Sequence, residues 1–417
     1  MIRSLVLLLF LCGSALAADL NVRDFGAKGD ASADDTAAFQ KALDDAGKIG
    51  CRVDVPAGRY AIRGHLDVPQ AVTLRGTFDA PARTQYNEGT LAKEKGSILL
   101  AFEGKGDEKA TPFITLHDDS HVHGLIIFYP EQNNEDAIAP YPWTIRGVGD
   151  NSTITAMLIV NPYNAVDLGN QPCGRHYVNG LYAQALHTGL LIDKCFDVGR
   201  VENIHFWPFW KDNRKLEQYM NKNATAFVIG RTDWEYMSNC FSIWYSVGYH
   251  FVANKDGPGN AVLVNCGADI GPLAVKVDAT QGHAGVSFVN GQFMSGVDVG
   301  PDNAGPVKFT ACGFWGTPRT GSHIHVRGSG NVTLDACHFT GWAQADKTAP
   351  CILAESGGVT INACEFLDGE KEKRHVELRE GVESAIIVAN RFRAPARIKN
   401  ESKGDVQIGL NTGGVAP

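Results

Sequence analysis

A short phrase recurs through this chain at a fixed place in a longer period. Aligning "FVNGQF", "FTACGF", "LDACHF", "INACEF" and "IVANRF" puts phenylalanine at Phe293, Phe314, Phe339, Phe366 and Phe392, in steps of 21, 25, 27 and 26 residues. Two residues earlier stand Gly291, Cys312, Cys337, Cys364 and Asn390, and the register extends back through Cys266, Cys240, Ile204, Gly180 and Ala156. A unit of this length cannot bury its apolar face alone and has to stack on its neighbours. Within one unit Val332, Leu334 and Ala336 alternate with polar residues, and then the phase slips so that Cys337 and Phe339 carry the apolar face. Such a slip between two period-2 stretches marks a corner between strands. Short strands, fixed corners and about 25 residues per turn predict an all-β chain wound as a right-handed parallel β-helix.

The same register disposes of most of the cysteines. Cys240, Cys266, Cys312, Cys337 and Cys364 alternate with Gly and Asn at one rung and no Cys-x-x-Cys pair occurs, so they read as small interior residues, and no metal ligands are assigned. Cys51, Cys173, Cys195 and Cys351 fall outside the register. Residues 1–17, with Arg3, an apolar run from Leu5 to Leu11, and Ala15, Leu16, Ala17 at the end, read as a signal peptide. The expectation is a secreted or periplasmic protein with one domain over 18–417 and no membrane span. The formal charge of -8, which becomes -9 when Arg3 leaves, disfavours nucleic acid as a partner, and the sequence is silent on oligomeric state.

An open solenoid end needs a cover. "ADDTAAFQKALDDAG" predicts a capping helix over 34–46, with Asp34 or Asp35 at its start, Ala37, Ala38, Ala42 and Leu43 facing inward, and Gly47 at its stop. With this helix included, "VRDFGAKGDASADDTAAFQKALDDA" and "VDVPAGRYAIRGHLDVPQAVTLRG" resemble the N-terminal segment of the pectate-lyase superfamily, shared by rhamnogalacturonase-like and epimerase-like β-helix proteins and phage tailspikes. The resemblance covers about Asn21 to Gly76 and implies the β-helix fold and action on polysaccharide. Its hydrolase signatures do not carry over: "GHAG" at Gly282 to Gly285 and "RIK" at Arg397 to Lys399 are fragments with no Asn-Thr-Asp segment before them.

Site expectations therefore come from the corners. The step from Ile204 to Cys240 is 36 residues, and "YPEQNNEDAIAPYPW" leaves the same corner with only the coils around Ala156 and Gly180 between, which predicts loop insertions over 129–145 and 207–225 on one edge. They bring Glu131, Glu135, Asp136, Tyr141 and Trp143 to face Trp207, Trp210, Lys211, Asp212 and Arg214, with Tyr163 and His187 between. Aromatic faces with carboxylates and cations suit a sugar chain. Hydrolysis of a glycosidic bond needs an acid and a base or nucleophile, for which Glu131, Asp136 and Asp212 are candidates, with Asp233 and Glu235 as second choices. β-Elimination on a uronic acid needs a basic group such as Lys211, with Arg214 or Arg175 or a Ca²⁺ ion neutralising the substrate carboxylate. His187 could serve either chemistry. The expectation is a polysaccharide-cleaving enzyme, hydrolase ahead of lyase, with a non-catalytic glycan-binding protein as the alternative; no cofactor is assigned, and Ca²⁺ enters only for a lyase.

Overall fold

In a computed structural model the described residues are 19–413 apart from 84, 85, 87 and 92, so the expected signal peptide lies outside them. The chain winds as a right-handed parallel β-helix whose coils each contribute to three parallel sheets. The coil that runs Asn331–Asp335, His338–Thr340 and Ile352–Asn362 is typical. Its first strand pairs with Val307–Thr310 below, its second with Gly313–Trp315, and its third begins against Ile324–Val326. Pairing within each sheet joins strands of successive coils, so every rung stacks about 4.8 Å above the last.

The corner between the first and second sheets is a single residue in the left-handed region. Gly124, Gly180, Asn203, Asn239, Asn265, Asn290, Ala311, Ala336, Ala363 and Ala389 all have φ between 51° and 72° there (Ala156 marks the lower bound, Gly124 the upper). Gly180 and Ala156 are thus the corner itself. The interior rung beside them is Leu181 and Met157, one residue later than the sequence register places it. Past Asn203 the expected rung holds: Cys240, Cys266, Cys312, Cys337 and Cys364 are all buried, and their thiols donate to backbone carbonyls of the turn. The phenylalanines two residues on form a continuous stack, with centroids 5.3 Å apart for Phe293 and Phe314, 5.0 Å for Phe314 and Phe339, 5.1 Å for Phe339 and Phe366, and 4.7 Å for Phe366 and Phe392.

The helix α1 (Thr36–Gly47) covers the N-terminal coils with Phe39, Ala42, Leu43 and Ala46. It starts two residues later than expected because the two aspartates divide the work: Asp34 accepts from the Thr36 N–H, while the buried Asp35 accepts from Lys28 and Gly29 and ties the preceding turn to the helix. Two insertions project from the coil at one edge, over 129–142 and 207–224. The first ends at 142, since Trp143–Gly147 is already a strand of the third sheet, and the second contains a helix, α2 (Arg214–Asn223). Replacing Cys337 by Asp places an unpaired carboxylate in the stack, and thermal or denaturant unfolding should show a loss of about 3 kcal/mol or more.

Candidate functional site at the edge of the third sheet

Both insertions leave the corner between the second and third sheets, and they touch. Glu135 accepts from the Asn213 amide at 2.7 Å and lies 3.5 Å from the Lys211 ammonium, and Asp136 pairs with Lys215. Their roots are fixed from inside: the buried Gln184 accepts from the backbone N–H of Trp210 and Lys211, and Asn213 caps α2 through the N–H of Leu216. The local sequence explains this, since an Asn before a helical stretch satisfies an N–H that the helix cannot. Below the clasp Tyr163 and His187 stack at 4.8 Å, and His187 donates Nδ1–H to the Asn164 amide oxygen. Burial lowers the His187 pKa and raises that of the Tyr163 phenol.

Several expected contributors stand elsewhere. Trp210 and Tyr141 are buried (3% and 0% exposed), so they hold the loops from within and present no ring face to a ligand. Trp210 carries Lys211 over its ring at 4.6 Å. Trp207 and Trp143 are half-buried, Glu131 lies 3.5 Å from Lys105, and Asp212 and Arg214 are exposed. Arg175, Asp233 and Glu235 belong to the opposite corner, between the third and first sheets. There Arg175 pairs with Asp150 and Asp197, Asp233 pairs with Arg231, and Glu235 is fully buried, which removes it from any substrate surface.

A cleft of about 580 Å³ opens further along the same edge on the outer face of the third sheet. Asp298 and His325 are register partners on adjacent strands, and Glu377 follows two coils later in the same outward column. Each polar residue is flanked by inward apolar ones, as Val297-Asp298-Val299, Ile324-His325-Val326 and Val376-Glu377-Leu378. That apolar-charged-apolar triplet at the coil period is the readable signal, and tracking the cysteine and phenylalanine rungs alone passes over it. Arg327 holds Asp298 with two bonds, of 2.6 and 3.1 Å, and Glu377 is buried among Arg374, Arg379 (2.7 Å) and Lys399 (3.4 Å). His325 Nε2 lies 2.9 Å from Glu355 Oε1 and its Nδ1 is 3.7 Å from Asp298 Oδ1. A carboxylate only accepts, so Nε2 carries the proton; the longer separation is no hydrogen bond and leaves the Nδ1 lone pair free. Arg319, on the wall of the cleft, reaches back to Asn221 and Glu217 of α2 and makes helix and cleft one surface.

One further acid stands beside this edge. Burial pushes the carboxyl of Asp269, next to the cleft residues Ile270 and Gly271, up to about 6 from 3.8. The folded pKa lies above the unfolded one, so the folded state gains stability from the bound proton at low pH and loses it as pH rises through about 6. Asp269→Asn should therefore raise the melting temperature at pH 8 and leave it unchanged at pH 4.

Three sheets of short parallel strands with a cleft along one loop-bearing edge define a β-helix of the pectate-lyase type. The chain belongs to the family described as rhamnogalacturonase A/epimerase, pectate lyase-like, whose model matches residues 20–241, more than half of it. Shorter stretches resemble curated proteins: 106 residues are 51% identical to alginate lyase 7 of Azotobacter vinelandii, and 70 residues are 39% identical to an exopolygalacturonase of Arabidopsis thaliana. These matches span 25% and 16% of this chain, and only 11% and 16% of those proteins. Among solved structures, the A-module of mannuronan C-5 epimerase AlgE6 from Azotobacter vinelandii is similar over 96% of this chain and all of that one (TM-score 0.50, 15% identity). Gene product 12 of bacteriophage phi29 is similar over 95% of this chain and 58% of that one (TM-score 0.60, 13% identity). Both share the fold.

Trp210 is thus a test of what the insertion is for. Trp210→Ala should cost about 3–5 kcal/mol of stability in denaturant unfolding, as removal of a buried indole does, with glycan affinity of the remaining folded protein unchanged.

Proposed function

We propose that the protein acts on a uronate-containing polysaccharide by taking the proton from the sugar carbon next to the carboxylate, which is the first step of β-elimination or epimerisation. The observation that carries this is the position of His325 in the cleft: its Nε2 is bonded to Glu355, its Nδ1 lies 3.7 Å from Asp298 with no hydrogen bond, and Arg319, Arg374 and Arg379 line the same cleft. Histidine is the side chain suited to taking and returning a proton near neutral pH. A guanidinium has five N–H donors, more than the pairs to Glu217, Asn221, Glu377 and Glu401 use, so Arg319, Arg374 and Arg379 can receive the uronate carboxylate and stabilise the charge that grows on it. In elimination the C5 proton passes to His325 Nδ1, the C4–O4 bond breaks with its electron pair going to O4, which takes up a proton from water, and a C4=C5 double bond remains. Arginines in this role replace the Ca²⁺ ion considered for a lyase. Residues 1–17 act as the export signal, so the substrate is met outside the cytoplasm.

Glycoside hydrolysis is the second reading, and Asp269 favours it, because a carboxyl that keeps its proton to about pH 6 suits a general acid. Glu131 and Asp136 serve it less well, each being paired with a lysine on the surface. The discriminating experiment incubates the protein with plant and algal uronate polysaccharides, with and without EDTA, following near-ultraviolet absorbance, reducing ends and product epimers. Unsaturated or epimerised product is expected, insensitive to EDTA and lowered at least about 100-fold by His325→Gln with the fold intact. Reducing ends without absorbance, abolished by Asp269→Asn, would replace this mechanism with hydrolysis. Binding without any product would make the protein a glycan-binding one.

A further inference from the structure

Far from the cleft, at the corner between the third and first sheets, three side chains with metal-ligating atoms meet in the interior. His176, Cys195 and Glu235 are all fully buried, and their Nε2, Sγ and carboxylate oxygen lie within 4.8 Å of one another. They come from three successive coils. His176, Gly199 and Glu235 occupy one column, since Tyr177 is the register partner of Arg200 and Gly199 that of Glu235. The glycine is what makes the site: a Cβ at position 199 would lie 2.1 Å from Glu235 Oε2 and 2.5 Å from His176 Nε2. Histidine enters its missing volume from the coil before, glutamate from the coil after, and Cys195 closes the side.

The hydrogen bonds define what this space holds. His176 Nδ1 donates to the Cys173 carbonyl at 2.9 Å, so Nε2 is the free ring position, and it faces Glu235 Oε1 at 3.2 Å. Two acceptors at that distance need a cation between them. A proton would join Nε2 to Oε1, but Glu235 Oε2 is buried with no donor, which a simple imidazolium–carboxylate pair leaves uncorrected. The Cys195 thiol donates to the Asp197 carbonyl at 2.8 Å, a bond given up on deprotonation; a divalent ion bound by Nε2, the thiolate and both carboxylate oxygens replaces it and gives Oε2 a partner, and thiolate plus carboxylate cancel its charge. Zinc bonds of about 2.0–2.2 Å set Nε2 and Oε1 about 3.3 Å apart, close to the 3.2 Å here, and the second carboxylate oxygen distorts the site from a regular tetrahedron. The carbonyl of Cys173 behind the imidazole is the outer partner that a metal-bound histidine ordinarily has.

We infer that His176, Cys195 and Glu235 form a closed structural site for a zinc-class divalent cation that ties three consecutive coils together. Binding displaces the Cys195 thiol proton and any proton held between Nε2 and Oε1, both released to solvent. The test refolds the full chain with and without zinc, measures metal content after gel filtration, and repeats the refolding with Co²⁺. One zinc per chain is expected, with a lower melting temperature after chelation. The cobalt form should give a thiolate-to-metal absorption band in the near ultraviolet that vanishes in Cys195→Ser and persists in Cys312→Ser, a cysteine of the interior rung. Zinc-free protein that melts at the same temperature with or without zinc would overturn the assignment, as would a cobalt band that survives in Cys195→Ser. Should Cys195→Ser fail to fold, the wild-type stoichiometry and cobalt spectrum still decide.

Discussion

Everything in this molecule is paced by one backbone conformation, the left-handed residue between the first and second sheets. It turns the chain sharply within a single residue, so the strand that ends there and the strand that begins there keep a constant phase in every coil. In the middle coils the residue is asparagine, which tolerates this region, and each side-chain amide donates to the asparagine of the coil below: Asn203 to Asn179, which precedes the corner Gly180, at 2.9 Å, Asn239 to Asn203 and Asn265 to Asn239 at 3.1 Å, Asn290 to Asn265 at 2.8 Å. From Ala311 to Ala389 alanine takes the position without that bond and at a cost of roughly 1 kcal/mol each.

The outer face of the third sheet obeys a different economy. Inside, the rungs are apolar and nearly interchangeable; outside, the same register lines up groups that have no shared purpose in packing. Arg146 with Asp167, Arg327 with Asp298, and the three cations around Glu377 are each charge pairs formed between neighbouring coils or across a strand end. Partly or wholly buried carboxylates of this kind persist only when paired. Because the partners sit on adjacent rungs, the scaffold places them without any loop having to fold around them. The cleft therefore owes its polar lining to rigid strands and its walls to the corner loops, with Arg319 joining the two through α2.

The fold was legible because its signal repeats: five phenylalanines and five cysteines each vote for the same register. The misplacement of Gly180 and Ala156 came from the same source, since glycine and alanine are small enough to fit either the corner or the interior rung, and only pairing of Tyr182 with His205 separates the two. Meeting of the insertions could be read from loop length alone, but not the direction of each side chain. Trp210 turns inward because Gln184 captures its backbone N–H, a contact between residues 26 apart with no pattern to announce it. Glu235, a second-choice catalytic acid on sequence, occupies an interior column opened by the glycine at 199. Asp298, His325 and Glu377 lie on different coils and become neighbours only after the third sheet is laid over the other two.

Because every coil regains its phase at the left-handed corner, coil length is free to vary at the corner between the second and third sheets. Consecutive interior rungs are 21 residues apart from Phe293 to Phe314 and 36 apart from Ile204 to Cys240, and the difference leaves entirely as loop. Lineages can therefore lengthen, shorten or exchange the segments of that edge one coil at a time, with neighbouring turns unaware of the change. A single residue gained at the left-handed corner has the reverse effect, turning one strand's interior side chains outward. Indels are thus confined by geometry to the recognition surface, which makes this scaffold a natural chassis for transplanting binding loops.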